Sequence, residues 1–305
     1  MKAKLTGEVL DYLAPFLVRA GRYAYEVQAR VEHKPPKQGT SDPFSEALTD
    51  ADLSIQAFIE VALLARFPEI SFFGEECAHS LNMKYFPAEA DLRVYLDPVD
   101  GTRFFRDNLP RFNVIATIAD QDRVWGAACF VPRADKFFRA ERGKGVTIQS
   151  SAQVLSGNGF ERLDLSGNAE WIVTWEMPVV KQHLGKDFGV TDVNCDYTPE
   201  TGCLCLNSIL LGECSALIGR SGSIIDCGAI AFIAGEAGAV VSDFRGNDLP
   251  PPSQLVGLRY PEFVVCKDQE VWRRVQDALK DEVNSESVAV SPYGQVCKRR
   301  QTAGG

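Results

Sequence analysis

Apolar residues recur at helical spacing near the N-terminus. Leu5, Val9, Leu10, Leu13, Phe16 and Leu17 share one face, which predicts a first helix over residues 5–30. The stretch HKPPKQGTSDPFSEA, residues 33–47, is rich in Pro, Gly and Ser and reads as a loop. Thr49 and Asp52 then make a T-x-x-D capping pattern ahead of a second helix, whose buried side would be Leu53, Phe58, Leu63, Leu64 and Phe67. From residue 70 the pattern shortens. ISFF (Ile70 to Phe73) and RVYL (Arg93 to Leu96) predict strands, each running into acidic residues. NVIATIA, VWGAACFV and KFFRAE predict three more, joined by DQDR and PRAD turns as an antiparallel meander. After about residue 150, EWIVTW, GCLCLNSILLG, CSALIGR, DCGAIAFIAGEAG and AVVSD alternate strand with helix, the mark of an α/β arrangement. A strand EFVVC and a helix from Asp268 to Val283 close the pattern, and the tail 284–305 has no periodic apolar positions and is expected to be disordered. The expected organisation is an α+β half over 1–150, an α/β half over 151–283, and the tail.

Composition narrows the class. The 305 residues are 45% hydrophobic, enough for a large core. No apolar run approaches the about 18 residues of a membrane span, and the N-terminal segment mixes charge into its helical pattern instead of forming a signal-peptide core. A cytoplasmic protein without a membrane partner is expected. The net charge of -9 argues against a nucleic-acid surface, which needs a basic stripe. Nine cysteines are scattered with no C-x-x-C pair, and the three histidines, His33, His79 and His183, are far apart, so neither a zinc site nor a Cys/His nucleophile emerges.

The acids raise a sharper question. In DPVDGT, Asp97 and Asp100 stand three apart, followed by Gly101 and Thr102. The segment could be an ordinary turn with Thr102 as a helix cap, or a cation-binding element. No Walker A pattern is present, and the spacing matches neither an EF-hand loop nor D-x-D-x-T. Glu75 and Glu76 follow a strand, Asp52 begins a helix, and Asp226 begins an apolar helix. Each of these alone is equally a cap or a solvated turn acid.

Together they resemble the inositol monophosphatase family, in order, from about Leu48 to Gly246. LTDADLSIQAFI is similar to its V-T-x-x-D-x-x-x-Q helix and FFGEE to F-x-G-E-E. DPVDGTRFF matches D-P-x-D-G-T-x-x-F, and LPRFNVIATIA resembles F-P-x-F-x-V-S-I-A. IDCGAIAFIAGEAGAVVSDFRG resembles the block around the last metal aspartate. The resemblance implies a five-layer αβαβα sandwich of the sugar-phosphatase type. It also implies a magnesium-dependent, lithium-sensitive phosphomonoesterase, a homodimer acting on a small phosphorylated metabolite. Two or three magnesium ions would be held by Glu75, Asp97, the Val99 carbonyl, Asp100 and Asp226, with Asp97 bridging. Thr102 backed by Asp52 would activate water, and the backbone of Gly101 and Thr102 would cradle the phosphate.

Substrate identity is left open. The family's tryptophan before the last metal aspartate is Ile225 here. Where inositol phosphatases carry a glutamate toward the sugar hydroxyls, an ungapped count reaches Gly219, with Arg220 beside it as a candidate contact. Inositol monophosphate or a related sugar phosphate stands beside histidinol phosphate, fructose 1,6-bisphosphate and adenosine 3',5'-bisphosphate. A catalytically inactive metal-binding scaffold is the competing class.

Overall fold

A computed structural model of the chain describes residues 1–28, 50–167 and 169–286. The expected loop 33–47 and the Thr49 cap lie outside those residues. Helix α1 (Lys2–Val27) buries Val9, Leu10, Leu13 and Leu17, the face its spacing predicts, and α2 (Asp50–Arg66) packs Ile55, Ile59 and Leu63 into the same cluster. Both lie on a sheet formed by β1 (Ser71–Gly74), β2 (Arg93–Asp100), β3 (Asn113–Ala119), β4 (Val124–Val131), β5 (Lys136–Glu141), β6 (Gly145–Gln149) and β7 (Glu161–Arg162). These strands lie side by side in chain order; β1 is parallel to β2, and every later neighbour pairs antiparallel, as the meander predicts.

The remaining helices are α3 (Thr102–Arg106), α4 (Ser151–Ser156), α5 (Pro178–Leu184), α6 (Val193–Asp196), α7 (Cys227–Glu236) and α8 (Gln269–Glu286). The second sheet holds β8 (Trp171–Trp175), β9 (Gly189–Asp192), β10 (Ala216–Ser223), β11 (Val240–Ser242) and β12 (Arg259–Cys266), in the order β11-β12-β10-β8-β9. Alternation along the strands assigns the layers. Val94, Leu96, Val114 and Ala116 face α1 and α2, whereas Ile115, Ala127, Cys129 and Phe138 face inward with Ile230 and Ile233 of α7. Leu217, Phe263 and Val265 meet α7 from the other side; Ile172, Ile218 and Val264 face outward onto Val180 of α5 and Val275 and Leu279 of α8. Helix, sheet, helix, sheet, helix is the five-layer αβαβα arrangement. Being sandwiched, α7 is apolar on every side, with Cys227, Ala229, Ile230, Ile233 and Ala234 all buried.

Three local expectations change. GCLCLNSILLG does not form a helix: Gly202 and Gly212 have positive φ, Cys205 is extended, and only Leu206–Ser208 makes a 3-10 turn. The left-handed backbone at the two glycines ends any helical path on either side of that turn. Helix α4 went unread although Ser150 and Gln153 spell its capping box. Helix α8 runs to Glu286, three residues into the expected tail; 287–305 lie outside the described residues. Among the described residues no helix is long and apolar enough to cross a membrane.

Helix α1 approaches β4 closely, and a Cβ on Gly126 would sit 2.7 Å from the Thr6 methyl and 2.8 Å from Leu10 Cδ1. Gly126→Val is therefore expected to destabilise the fold by about 1–3 kcal/mol through overpacking. Urea unfolding checks this, and a variant as stable as the parent would show that the helix can lift away without cost.

Candidate metal centre

Residues three apart on a regular strand point to opposite faces, so Asp97 and Asp100 should diverge. They do not, because β2 carries one extra residue there. Asp97 pairs with Ile115 and Asp100 with Asn113, three steps on β2 against two on β3. Pro98, which has no N–H to give the ladder, sits in this bulge. The bulge turns both carboxylates to the inner face of the sheet, and the Val99 N–H donates to Asp97 Oδ1 at 3.1 Å.

Asp226 arrives from the other side. It caps α7, accepting from the Cys227 N–H, and the positive end of the helix dipole favours its charge. Ile224 and Ile225 just before it pack with Tyr95 of β2 and Tyr260 of β12, docking this turn onto the first sheet. One carboxylate oxygen from each of Asp97, Asp100 and Asp226 lies within 4.8 Å of the others. Glu75 follows β1, its N–H bonded to the Leu96 carbonyl at 3.1 Å. Its turn is set by Gln56 of α2, which accepts from the Glu76 N–H at 2.9 Å and donates to Glu60 at 2.9 Å. A side chain at Gly74 would collide with that Gln56 amide. Asp52 is buried in the first turn of α2 and adds to the charge felt by Asp97.

The electrostatics record the crowding. Burial, then the charges of Glu75, Asp100, Asp226 and Asp52, hold the Asp97 carboxyl well above the usual carboxylate range. Burial, with Asp226 and Glu75, pushes Asp100 up to about 8, against the opposing hydrogen bonds from Asn113 and the Gly101 N–H. Burial raises Asp226 as well, while the Cys227 N–H and the Arg259 guanidinium pull it down.

Around the acids, Gly101 has φ 88°, and a Cβ there would come 2.7 Å from the Arg111 carbonyl, so glycine is required twice over. Its N–H donates to Asp100, and the Thr102 hydroxyl donates to the Val99 carbonyl at 3.0 Å. A chain of amides runs outward from Asp100: Asn113 donates to it, and Asn207 donates to Asn113. Two residues before Asn113, Arg111 bonds Glu213 at 2.5 Å, beside a cavity of ≈ 480 Å³ that Gly202 and Cys203 also line. Sequence reasoning missed Asn113, Asn207 and Gln56, although Gln56 stood in the quoted helix motif; pairing across elements was the missing information.

Arg220 is placed elsewhere. It shares the outward face of β10 with Ile218, its guanidinium lies 5.7 Å over the Phe244 ring, and its ladder partner is Glu262. The inward neighbour Gly219 is closed off, since a Cβ there would sit 2.6 Å from Phe263. The arginine that acts on Asp226 is Arg259 of β12.

The sequence profile of the inositol monophosphatase family matches residues 9–287. The chain belongs to the inositol monophosphatase family. Membership places it among phosphatase hydrolases and leaves the substrate open. It is 25% identical over 206 residues to a histidinol-phosphatase of Chlorobaculum parvum, covering 66% of this chain and 73% of that one. It is 26% identical over 278 residues to the Nus factor SuhB of Pasteurella multocida, covering 87% and 96%. Its fold is similar to that of a Thermotoga maritima IMPase, with TM-score 0.69, 20% identity and 90% and 98% of the two chains covered.

The donor set fits a hard cation. Two like charges about 4 Å apart repel by about 4 kcal/mol at an effective dielectric of about 20, so converging carboxylates need a counter-charge. Burial pushes the nearby thiols of Cys129 and Cys227 well up and that of Cys205 to about 12, so they stay neutral and the available anionic donors are oxygens.

A pH dependence follows. Asp97, Asp100 and Asp226 all have folded values above the unfolded one of about 3.9, so each folded carboxyl binds its proton more tightly than the unfolded chain does. Metal-free stability is therefore lost as pH rises from about 4 through the folded values, that of Asp100 being about 8, and a bound cation reverses the loss. The melting-temperature gain from magnesium over chelator should grow between pH 5 and about 8. A gain independent of pH would mean that the cation binds away from these acids.

Proposed function

We propose that this phosphatase hydrolyses a small phosphomonoester by direct attack of water, with magnesium held in the acidic cluster. The observation that carries the reading is the convergence of Asp97, Asp100 and Asp226 within 4.8 Å at the junction of the two sheets. Glu75, Asp97 and the Val99 carbonyl would hold one ion and Asp97, Asp100 and Asp226 a second; a third is compatible with the same oxygens. When bound, the ions polarise the phosphate, acidify a water and stabilise the leaving alkoxide.

The chain's own groups do the rest. The Thr102 hydroxyl, giving its proton to the Val99 carbonyl, keeps an oxygen that can accept from water and turn that water's lone pair toward phosphorus. Buried Asp52 backs it as the proton's destination. Gly101 and Thr102 would present their backbone to the phosphate, with Gly101 supplying the φ of 88° that this turn requires. Attack on phosphorus leaves inorganic phosphate and the free alcohol, without a covalent enzyme intermediate. The candidate substrates are inositol monophosphate or a related sugar phosphate, with fructose 1,6-bisphosphate, adenosine 3',5'-bisphosphate and, from the histidinol-phosphatase relative, histidinol phosphate in the panel. The reading extends to a cytoplasmic, lithium-sensitive homodimer.

Phosphate release from a panel of phosphorylated metabolites, with and without magnesium, tests this. Turnover should require the metal, and Asp97→Asn should abolish it, because one carboxylate serves both ions. Full activity in excess chelator would end the two-ion reading.

Thr102→Ala should lower kcat by about 10²–10⁴-fold, the range for losing a positioned proton acceptor, with little change in magnesium affinity. Calorimetric titration of magnesium into the variant separates the roles: collapse of binding would make Thr102 part of the metal shell.

A further inference from the structure

Resting on the phosphatase reading, we infer that Arg259 selects substrates carrying a second anionic group, a phosphate or a carboxylate, on the part that leaves. Arg259 lies directly across the ladder from Ser223, whose N–H donates to the Asp226 carboxylate. The guanidinium is thus one strand away from a proposed metal ligand. Its position is held, not merely allowed: Nε donates to the Ser221 hydroxyl at 2.7 Å and Nη2 to the Ser221 carbonyl at 3.3 Å. Ser221 itself takes φ 67°, unusual for a residue other than glycine, and this bend brings both of its oxygens to the arginine.

A guanidinium carries five N–H donors. Among the described residues only Ser221 bonds the Arg259 guanidinium, which leaves three of its donors on an exposed group. Other arginines around the site are committed. Arg111 is ion-paired to Glu213, Arg103 stacks 3.7 Å over the Tyr197 ring, and Arg220 is on the far face of the sheet. The reacting phosphate is provided for by the acidic cluster with its cations. A cation beside that cluster therefore meets a different part of the substrate, and a planar fork of donors fits a carboxylate or phosphate with two parallel hydrogen bonds.

The surroundings also disfavour a polyol-selective contact here. Phe263 and Trp175 fill the space in front of Gly219, so no carboxylate can stand there to accept from sugar hydroxyls. Ile225, which replaces the family's tryptophan, is buried against Tyr95 and Tyr260 and offers no polar atom. On this side of the cluster the chain presents a cation where hydroxyl recognition would need an acceptor.

The test compares wild type, Arg259→Gln and Arg259→Lys in magnesium on three probes: fructose 1,6-bisphosphate, 3-phosphoglycerate and glycerol 2-phosphate. The first two carry the second anion as phosphate and carboxylate, and the third carries none. Arg259→Gln should raise KM for the anionic pair about 10–100-fold more than for glycerol 2-phosphate, with kcat moving far less than KM, and Arg259→Lys should recover part of the loss. If only one of the pair responds, the second group is of that kind. Calorimetric binding of the same probes with calcium in place of magnesium should rank them alike. Wild type that discriminates in binding yet releases no phosphate from any probe would sink the phosphatase reading while supporting the assignment of Arg259. Equal KM shifts on all three probes, or a change confined to kcat and metal affinity, would overturn the assignment and make Arg259 a counter-charge for Asp226.

Discussion

The fold is organised around carboxylates that repel one another. Asp97 and Asp100 come from one strand, Glu75 from the end of its neighbour, and Asp226 from a helix in the other half of the chain. Burying them raises the proton affinity of all three aspartates, and neighbouring carboxylates add to the rise at Asp97 and Asp100. Several devices offset it. The β2 bulge, the N-terminus of α7, the Asn113 amide and the Gly101 N–H each place a fixed dipole or donor against a charge. The apolar contact of Tyr95 with Ile224, Ile225 and Tyr260 supplies burial that pulls Asp226 toward β2 in spite of the repulsion.

The same opposition explains why the layers around the cluster are so fully apolar. α7 has no solvent-facing side to spare, because it must present Asp226 while lying between two sheets. α1 and α2 seal the outer face of the first sheet, so the backbone of β2 stays fixed under the bulge. Preorganisation of this kind lets charged groups wait in position for a cation instead of relaxing away from one another.

Polar contacts then tie the halves at the rim. Asn207 reaches Asn113, Arg111 reaches Glu213 and Ser208, and the Tyr197 hydroxyl reaches Asp107 at 2.6 Å. Each joins the segment around β2, α3 and β3 to the irregular stretch 197–213 that borders the cavity. Asn207 and Ser208 make these contacts from the short 3-10 turn that the stretch keeps between its two positive-φ glycines.

Much of this was legible in the sequence for a plain reason: hydrophobic periodicity reports burial. The spacing of Leu10, Leu13 and Leu17, the strands of the meander and the wholly apolar α7 all predict what they form, since each element's burial is written in its own residues. Each acid alone could be a cap or a turn residue, and the set was legible through the resemblance of its motifs, in order, to the inositol monophosphatase family. What the sequence could not decide was direction. A three-residue spacing on a strand says that Asp97 and Asp100 diverge, and only the pairing with Ile115 and Asn113 reveals the extra residue that reunites them. Counting along β10 offered Arg220, but strand alternation sends it to Phe244, and the cation beside Asp226 comes from β12, over thirty residues further on. Local pattern determines what is buried; which side chains meet across strands depends on register and on bulges, and those belong to the tertiary structure alone.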